Sequence, residues 1–255
     1  MFSLPLLYTM EVWWSGFMLG SDRILLMLGF TLLLLLGYNT YAGVRSNETL
    51  AGVVIDSTEE LGLALVVSAC TLFLLGRIEP GDSVREVMGK IAIEALLISI
   101  GISIGTAQME QGTEEDRENE RGARPKDLLG VISLSACGAV VLATNIAITD
   151  EVVILGLESG HRHLVGMVVV SLLLCALIMV FSDLLETHKE LARTTGMKIA
   201  LGTVLSYSIA FCASATILYL FGRFDGVALS GCLGMTVVLT VAASMGAAAG
   251  KILIR

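Results

Sequence analysis

Apolar residues run through this chain in blocks, with polar ones gathered between them. Eight blocks stand out, at about 2–20, 24–44, 50–76, 87–107, 128–156, 164–182, 198–221 and 226–250. A helix needs roughly 20 apolar residues to cross a bilayer, and each block meets or nearly meets that length. Inside lipid every backbone N–H and C=O must be satisfied internally, so only helices and closed barrels cross. No stretch alternates with the period of two that barrel strands need. The pattern predicts an all-α fold, a polytopic helical membrane protein with about eight transmembrane helices. Short connections at Ser21–Arg23 and Arg223–Asp225 make the helices they join antiparallel neighbours.

The one long polar stretch is Gln108–Asp127, with Glu114, Glu115, Asp116, Arg117, Glu118, Glu120, Arg121, Arg124 and Lys126. It reads as a solvated linker. Residues 1–107 and 128–255 on either side form the expected first and second four-helix membrane repeats. Cationic side chains orient them. One side of eight spans holds Arg45, Arg117, Arg121, Arg124, Lys126, Lys189, Arg193, Lys198, Lys251 and Arg255. The other holds Arg23, Arg77, Arg85, Lys90, Arg162 and Arg223. Positive charge accumulates on cytoplasmic loops, so both termini are expected in the cytoplasm, as in a multi-pass protein of the bacterial inner membrane.

Of 255 residues 55% are hydrophobic, above the 45–50% or so of soluble domains. The net charge is −8, much of the acid sits in the linker, and no basic patch argues for a nucleic-acid partner. Cys70, Cys137, Cys175, Cys212 and Cys232 lie within apolar blocks and read as small packing residues. The opening residues lack a basic n-region, and Glu11, Trp13 and Trp14 interrupt their apolar run, so they do not read as a signal peptide.

The halves echo each other. Thr9, Glu11, Val12 and Gly16 recur as Thr149, Glu151, Val152 and Gly156, at a constant spacing of 140. Phe73-Leu74-Leu75-Gly76-Arg77 loosely matches Tyr219-Leu220-Phe221-Gly222-Arg223. Ser99, Gly101 and Gly105 match Ser244, Gly246 and Gly250. Four spans per repeat is an even number, so the halves are expected to share one orientation about an axis along the membrane normal.

Ionisable residues inside apolar blocks are expensive and mark function. Glu11 and Glu151 are the first candidates for a cation or proton site, and the candidate metal ligands. Pro5 or Asn145 precedes each by six residues, so both helices are expected to kink or break beside the acid. Thr9, Asn145, Thr149 and Asp150 add oxygens. Such hard ligands suit Ca²⁺, Mg²⁺, Mn²⁺ or Na⁺, and the same carboxylates can carry protons. Asp56 and Glu60, one turn apart on the third block, would line an approach. Lys90 and Glu94, also one turn apart, would form a compensated buried pair, unless Lys90, close to a membrane end, snorkels to the surface. Gly101-x-x-x-Gly105 and Gly246-x-x-x-Gly250 are expected to seat neighbouring helices closely, within the chain or across a homo-oligomer. His161, His163 and His188 fall in loops, and no spacing fits a zinc site, a P-loop, a catalytic triad or haem ligation.

The stretches Pro5-Leu6-Leu7-Tyr8-Thr9-Met10-Glu11-Val12-Trp13-Trp14 and Asn145-Ile146-Ala147-Ile148-Thr149-Asp150-Glu151 resemble the signature stretches of a family of bacterial integral membrane proteins, cyanobacterial members included. The resemblance covers most of the chain. It implies a membrane fold and adds little mechanism, because the family has no assigned activity. Members begin well before the proline, so the resemblance implies a first helix shortened here at its cytoplasmic end.

The leading expectation is a membrane cation transporter or exchanger using paired intramembrane carboxylates. No cofactor is expected beyond a bound hard cation such as Ca²⁺, and no enzymatic activity. A passive oligomeric cation channel is one alternative. A non-transporting sensor or assembly protein, working through the acidic linker, is the other.

Overall fold

The computed structural model describes residues 10–42, 49–109, 128–186 and 192–252. Every regular element among them is an α-helix. The first compact unit, Met1–Ser133, contains α1 (Met10–Met18), α2 (Ser21–Ala42), α3 (Leu50–Leu74) and α4 (Val84–Met109). The boundary falls within α5 (Leu128–Ala147). The second unit, Leu134–Arg255, continues with α6 (Asp150–Glu158), α7 (His161–Glu186), α8 (Ala192–Leu220) and α9 (Leu229–Ile252).

Among the described residues, six helices are long and apolar enough to cross a bilayer: 21–42, 84–107, 128–147, 161–181, 199–220 and 229–250. Eight were expected. The two blocks outside this set have identifiable features. The first is described only from Met10, as a helix of 9 residues. The third forms α3, whose 25 residues include Asp56, Glu59 and Glu60. The expected span 128–156 is interrupted: α5 stops at Ala147 and α6 starts at Asp150. Asn145 Nδ2 donates back to the Val141 carbonyl at 2.6 Å, and Thr149 Oγ1 to that of Ile146 at 2.8 Å. Such side chains compete for backbone acceptors and loosen a helix. The break expected beside Glu151 is therefore present.

Several helices keep an apolar face uncovered. On α7, Val165, Val169, Leu173, Leu177 and Phe181 are all exposed at helical spacing. An uncovered stripe of this length suits lipid rather than water.

Local structure repeats between the units. Leu19 N–H donates to Ser15 and Arg23 N–H to Gly20; Ser159 donates to Leu155 and His163 to Gly160. Both short helices thus turn into their long successors with the same bonds. The third long stretch of each unit also ends alike. Arg77 N–H reaches the Leu72 carbonyl and Gly76 N–H that of Phe73; Arg223 reaches Leu218 and Gly222 reaches Tyr219. This is the Schellman closure, which needs a left-handed residue. Gly76 and Gly222 supply it at φ 66° and 73°.

Each short helix lies against the last helix of its unit with no room between backbones. A side chain at Gly89 would collide with the Gly16 carbonyl, and one at Gly234 with the Gly156 carbonyl. Reciprocally, a Cβ on Gly16 would meet Lys90, and one on Gly156 would meet Met235. Glycine permits this approach, which gains dispersion contacts where lipid gives helices no hydrophobic drive to associate.

Candidate functional site

Polar side chains of the first unit gather at three places along α4. The first is the end where α4 begins. Lys90 lies under Gly16, and its Nζ donates to the Arg77 carbonyl at 2.9 Å and to Asp82 Oδ2 at 3.1 Å. It also pairs with Glu86 Oε1 at 2.7 Å. The lysine stem is buried while its ammonium reaches the polar end, as snorkelling requires. Asp82 further accepts the Glu79 N–H at 3.2 Å. That bond, followed by Lys90, holds the Asp82 carboxyl below its ordinary 3.8. Arg77 stacks on the Trp13 ring at 3.6 Å.

The second place is the middle of α4. Glu94 is completely buried, and among the described residues neither carboxylate oxygen has a hydrogen-bond partner. The expected pair with Lys90 is not formed.

The third place lies towards the other end, where α2, α3 and α4 meet around Glu60. Asn39 Nδ2 of α2 donates to Glu60 Oε2 at 2.8 Å and to Ser57 Oγ at 3.0 Å. Ser103 Oγ of α4 donates to Glu60 Oε2, and Thr106 Oγ1 to Oε1 at 3.4 Å. Ser57 and Ser103 are buried, and Asn39 and Glu60 half-buried. One carboxylate thereby accepts from three neutral polar side chains of α2 and α4, and Ser57 of α3 accepts from one of them, Asn39. Glu60 and Asp56 are candidates of the sequence reading; Asn39, Ser57, Ser103 and Thr106 are additions. Their signal was the spacing of three that puts Ser57 beside Glu60, and Ser103 beside Thr106, on one helix face.

The other sequence candidates lie elsewhere. Glu11 and Glu151 are exposed, and Glu151 lies in the first turn of α6. There the positive end of the helix favours a carboxylate. Asp150 is exposed and accepts a bond from Arg223 Nη1 at 2.9 Å, while Nη2 of the same guanidinium donates to the Ile148 carbonyl. Arg223 therefore closes the break between α5 and α6. Asn145 and Thr149 are half-buried, and their side chains donate to carbonyls of the preceding turn. Thr9 and residues 110–127 of the acidic stretch lie outside the described residues. Among the described residues, no group of three His, Cys, Asp or Glu side chains could hold a metal ion.

The glycine motifs divide. A side chain on Gly246 or Gly250 would strike Gly138 or Leu134 of α5, as expected of a helix seat. Gly101 and Gly105 have nothing within 4 Å of the position a Cβ would take.

Six long apolar helices, uncovered apolar stripes and polar groups drawn inward define a multi-pass integral membrane protein. The chain belongs to the integral membrane protein family DUF2391, a family of unknown function whose model matches residues 1–254. No curated protein and no solved structure matches it.

Proposed function

We propose that this protein moves a hard cation across the membrane, and that Glu60 is the residue the ion meets. The carrying observation is that Asn39, Ser103 and Thr106 donate to one carboxylate, with Ser57 bonded to Asn39 beside it. Carboxylate, amide and hydroxyl oxygens are hard ligands. The amide of Asn39 presents an oxygen once it turns over, an exchange of O and N that leaves its shape unchanged. Calcium sites gather several acidic ligands and tune affinity by their charge. A single carboxylate among neutral oxygens instead balances one positive charge, so Na⁺ or K⁺ suits it better than Ca²⁺.

Eight crossings in two parallel four-helix repeats remain the architecture of this reading. It is supported by the matched turns at Gly20 and Gly160, the matched closures at Gly76 and Gly222, and the matched glycine contacts of Gly16 and Gly156. The repeats differ at the site. Glu60 has no acidic counterpart near Ala200–Ser206, so the ion pathway is asymmetric and belongs to the first repeat. Glu11 and Glu151, on the surface of each short helix, are read as acids that attract the ion to its entrance.

Thermal stability against a cation panel tests the seat. A ligand that binds the folded protein raises its melting temperature with concentration. Sodium or potassium should do so for wild type and fail to do so for Glu60→Gln. Stabilisation by Ca²⁺ alone, or equal stabilisation of the variant, would overturn the assignment.

A further inference from the structure

Glu94 stands apart from every polar cluster already described. It lies ten residues into α4, roughly 15 Å along a helix that rises 1.5 Å per residue. Ser103 lies a further nine residues on, roughly 13 Å, and on the opposite face of the helix. The side chain is fully buried and both oxygens are unpartnered among the described residues. Elements packed on α4 bring charged groups, but none bonds to Glu94. Glu11 of α1 is exposed. Asp22 and Arg23 lie at the start of α2, and Tyr38 and Tyr41 near its end. On α3, Glu60 is held by Asn39, Ser103 and Thr106, Glu59 and Cys70 are exposed, and Asp56 is engaged elsewhere. On α4 itself, Lys90 is committed to Asp82 and Glu86.

Packing does not require an acid here. Gly89 and Gly234 make the same contact in their two units, and five residues beyond each lie Glu94 and Leu239. Leu239 is an ordinary buried core residue. An ionised carboxylate at Glu94 would have neither counter-ion nor hydrogen bond, a state that costs many kcal/mol in principle. A metal cation needs several oxygen ligands, and Glu94 has no such shell. A proton needs only the carboxylate.

We propose that Glu94 is a proton-binding site, loaded as the neutral acid and emptied only when the first unit opens to water. The step is a simple exchange: the carboxyl O–H breaks, its proton passes to water as hydronium, and on return the carboxylate takes a proton back from hydronium, releasing water. This site is independent of cation binding at Glu60. If that reading also holds, Glu94 supplies the coupling proton.

Dicyclohexylcarbodiimide, an apolar reagent that adds to protonated carboxyl groups, tests it on the intact protein in membranes. Peptide mass analysis should find the adduct on Glu94, with a rate that falls as pH rises, and none at that position in Glu94→Gln. Glu60→Gln should leave this labelling in place, so a failure of the cation reading is separable. Glu94→Leu should remain folded, because leucine fills the matching position of the other unit. Absence of the Glu94 adduct while other membrane acids are labelled, a pH-independent rate, or loss of the folded protein in Glu94→Leu would each overturn the proposal.

Discussion

Lys90 stands one turn of α4 from Glu94 and bonds to Asp82, Glu86 and the Arg77 carbonyl instead. A lysine stem follows its charge to the polar end of a helix, and helical side chains lean towards the N-terminus. Both tendencies draw Lys90 away and leave the acid alone in the apolar interior.

Replacing Glu94 by leucine should therefore stabilise the protein rather than weaken it. Removing a buried, unsatisfied polar group relieves roughly 1–3 kcal/mol. Thermal melts in detergent should show Glu94→Leu at or above wild type. A clear fall would mean that the carboxyl has a structural partner.

Asp82 gives a pH dependence with a definite sign. The Glu79 N–H, then Lys90, hold its carboxyl below the ordinary value of 3.8. A depressed folded pKa contributes stability above the unfolded value and loses it as pH falls through the folded one. The melting-temperature difference between wild type and Asp82→Asn should thus be present at neutral pH and shrink in strong acid. A difference that grows on acidification would contradict the bonds at Asp82.

The glycine contacts make a graded series. Gly89→Ala drives a methyl into the Gly16 carbonyl, and Gly234→Ala one into that of Gly156. Overpacking of this kind costs typically about 1–3 kcal/mol. Gly246→Ala should behave likewise against Gly138, whereas Gly101→Ala and Gly105→Ala meet open space and should be near neutral. Melting temperatures of the five variants check the order.

Arg223 holds the interruption between α5 and α6 through the Ile148 carbonyl. Its ion pair with Asp150, which is 74% exposed, adds little. Arg223→Ala should cost roughly 1–3 kcal/mol by leaving that carbonyl without its donor, and Asp150→Asn much less. Arg223→Lys should not restore the loss, because one ammonium cannot reproduce the planar fork that spans both acceptors. Equal losses for Arg223→Ala and Asp150→Asn would put the weight on the ion pair instead.

Helical membrane character was legible because apolar blocks of bilayer length admit few other solutions. The break before Asp150 was legible too, since Asn145 and Thr149 carry local bonding habits that need no tertiary information. The surroundings of Glu60 were only half legible. Its spacing to Asp56 is local, but Asn39 and Ser103 come from 21 and 43 residues away, on other helices. Helical spacing told which residues share a face and not which face meets which. Lys90 is a different case: it has a carboxylate one turn away on either side, and it takes Glu86, the one towards the polar end, as snorkelling favours. Gly101 and Gly246 also read alike, yet only the second has a helix against it.

Ion uptake into proteoliposomes, for wild type and Glu60→Gln against Na⁺, K⁺, Ca²⁺, Mg²⁺ and Mn²⁺, bears most directly on cation movement through the first unit. The predicted result is saturable sodium or potassium uptake by wild type that is lost in the variant. Uptake unchanged in Glu60→Gln, or no uptake of any ion by folded and inserted wild type, would contradict it.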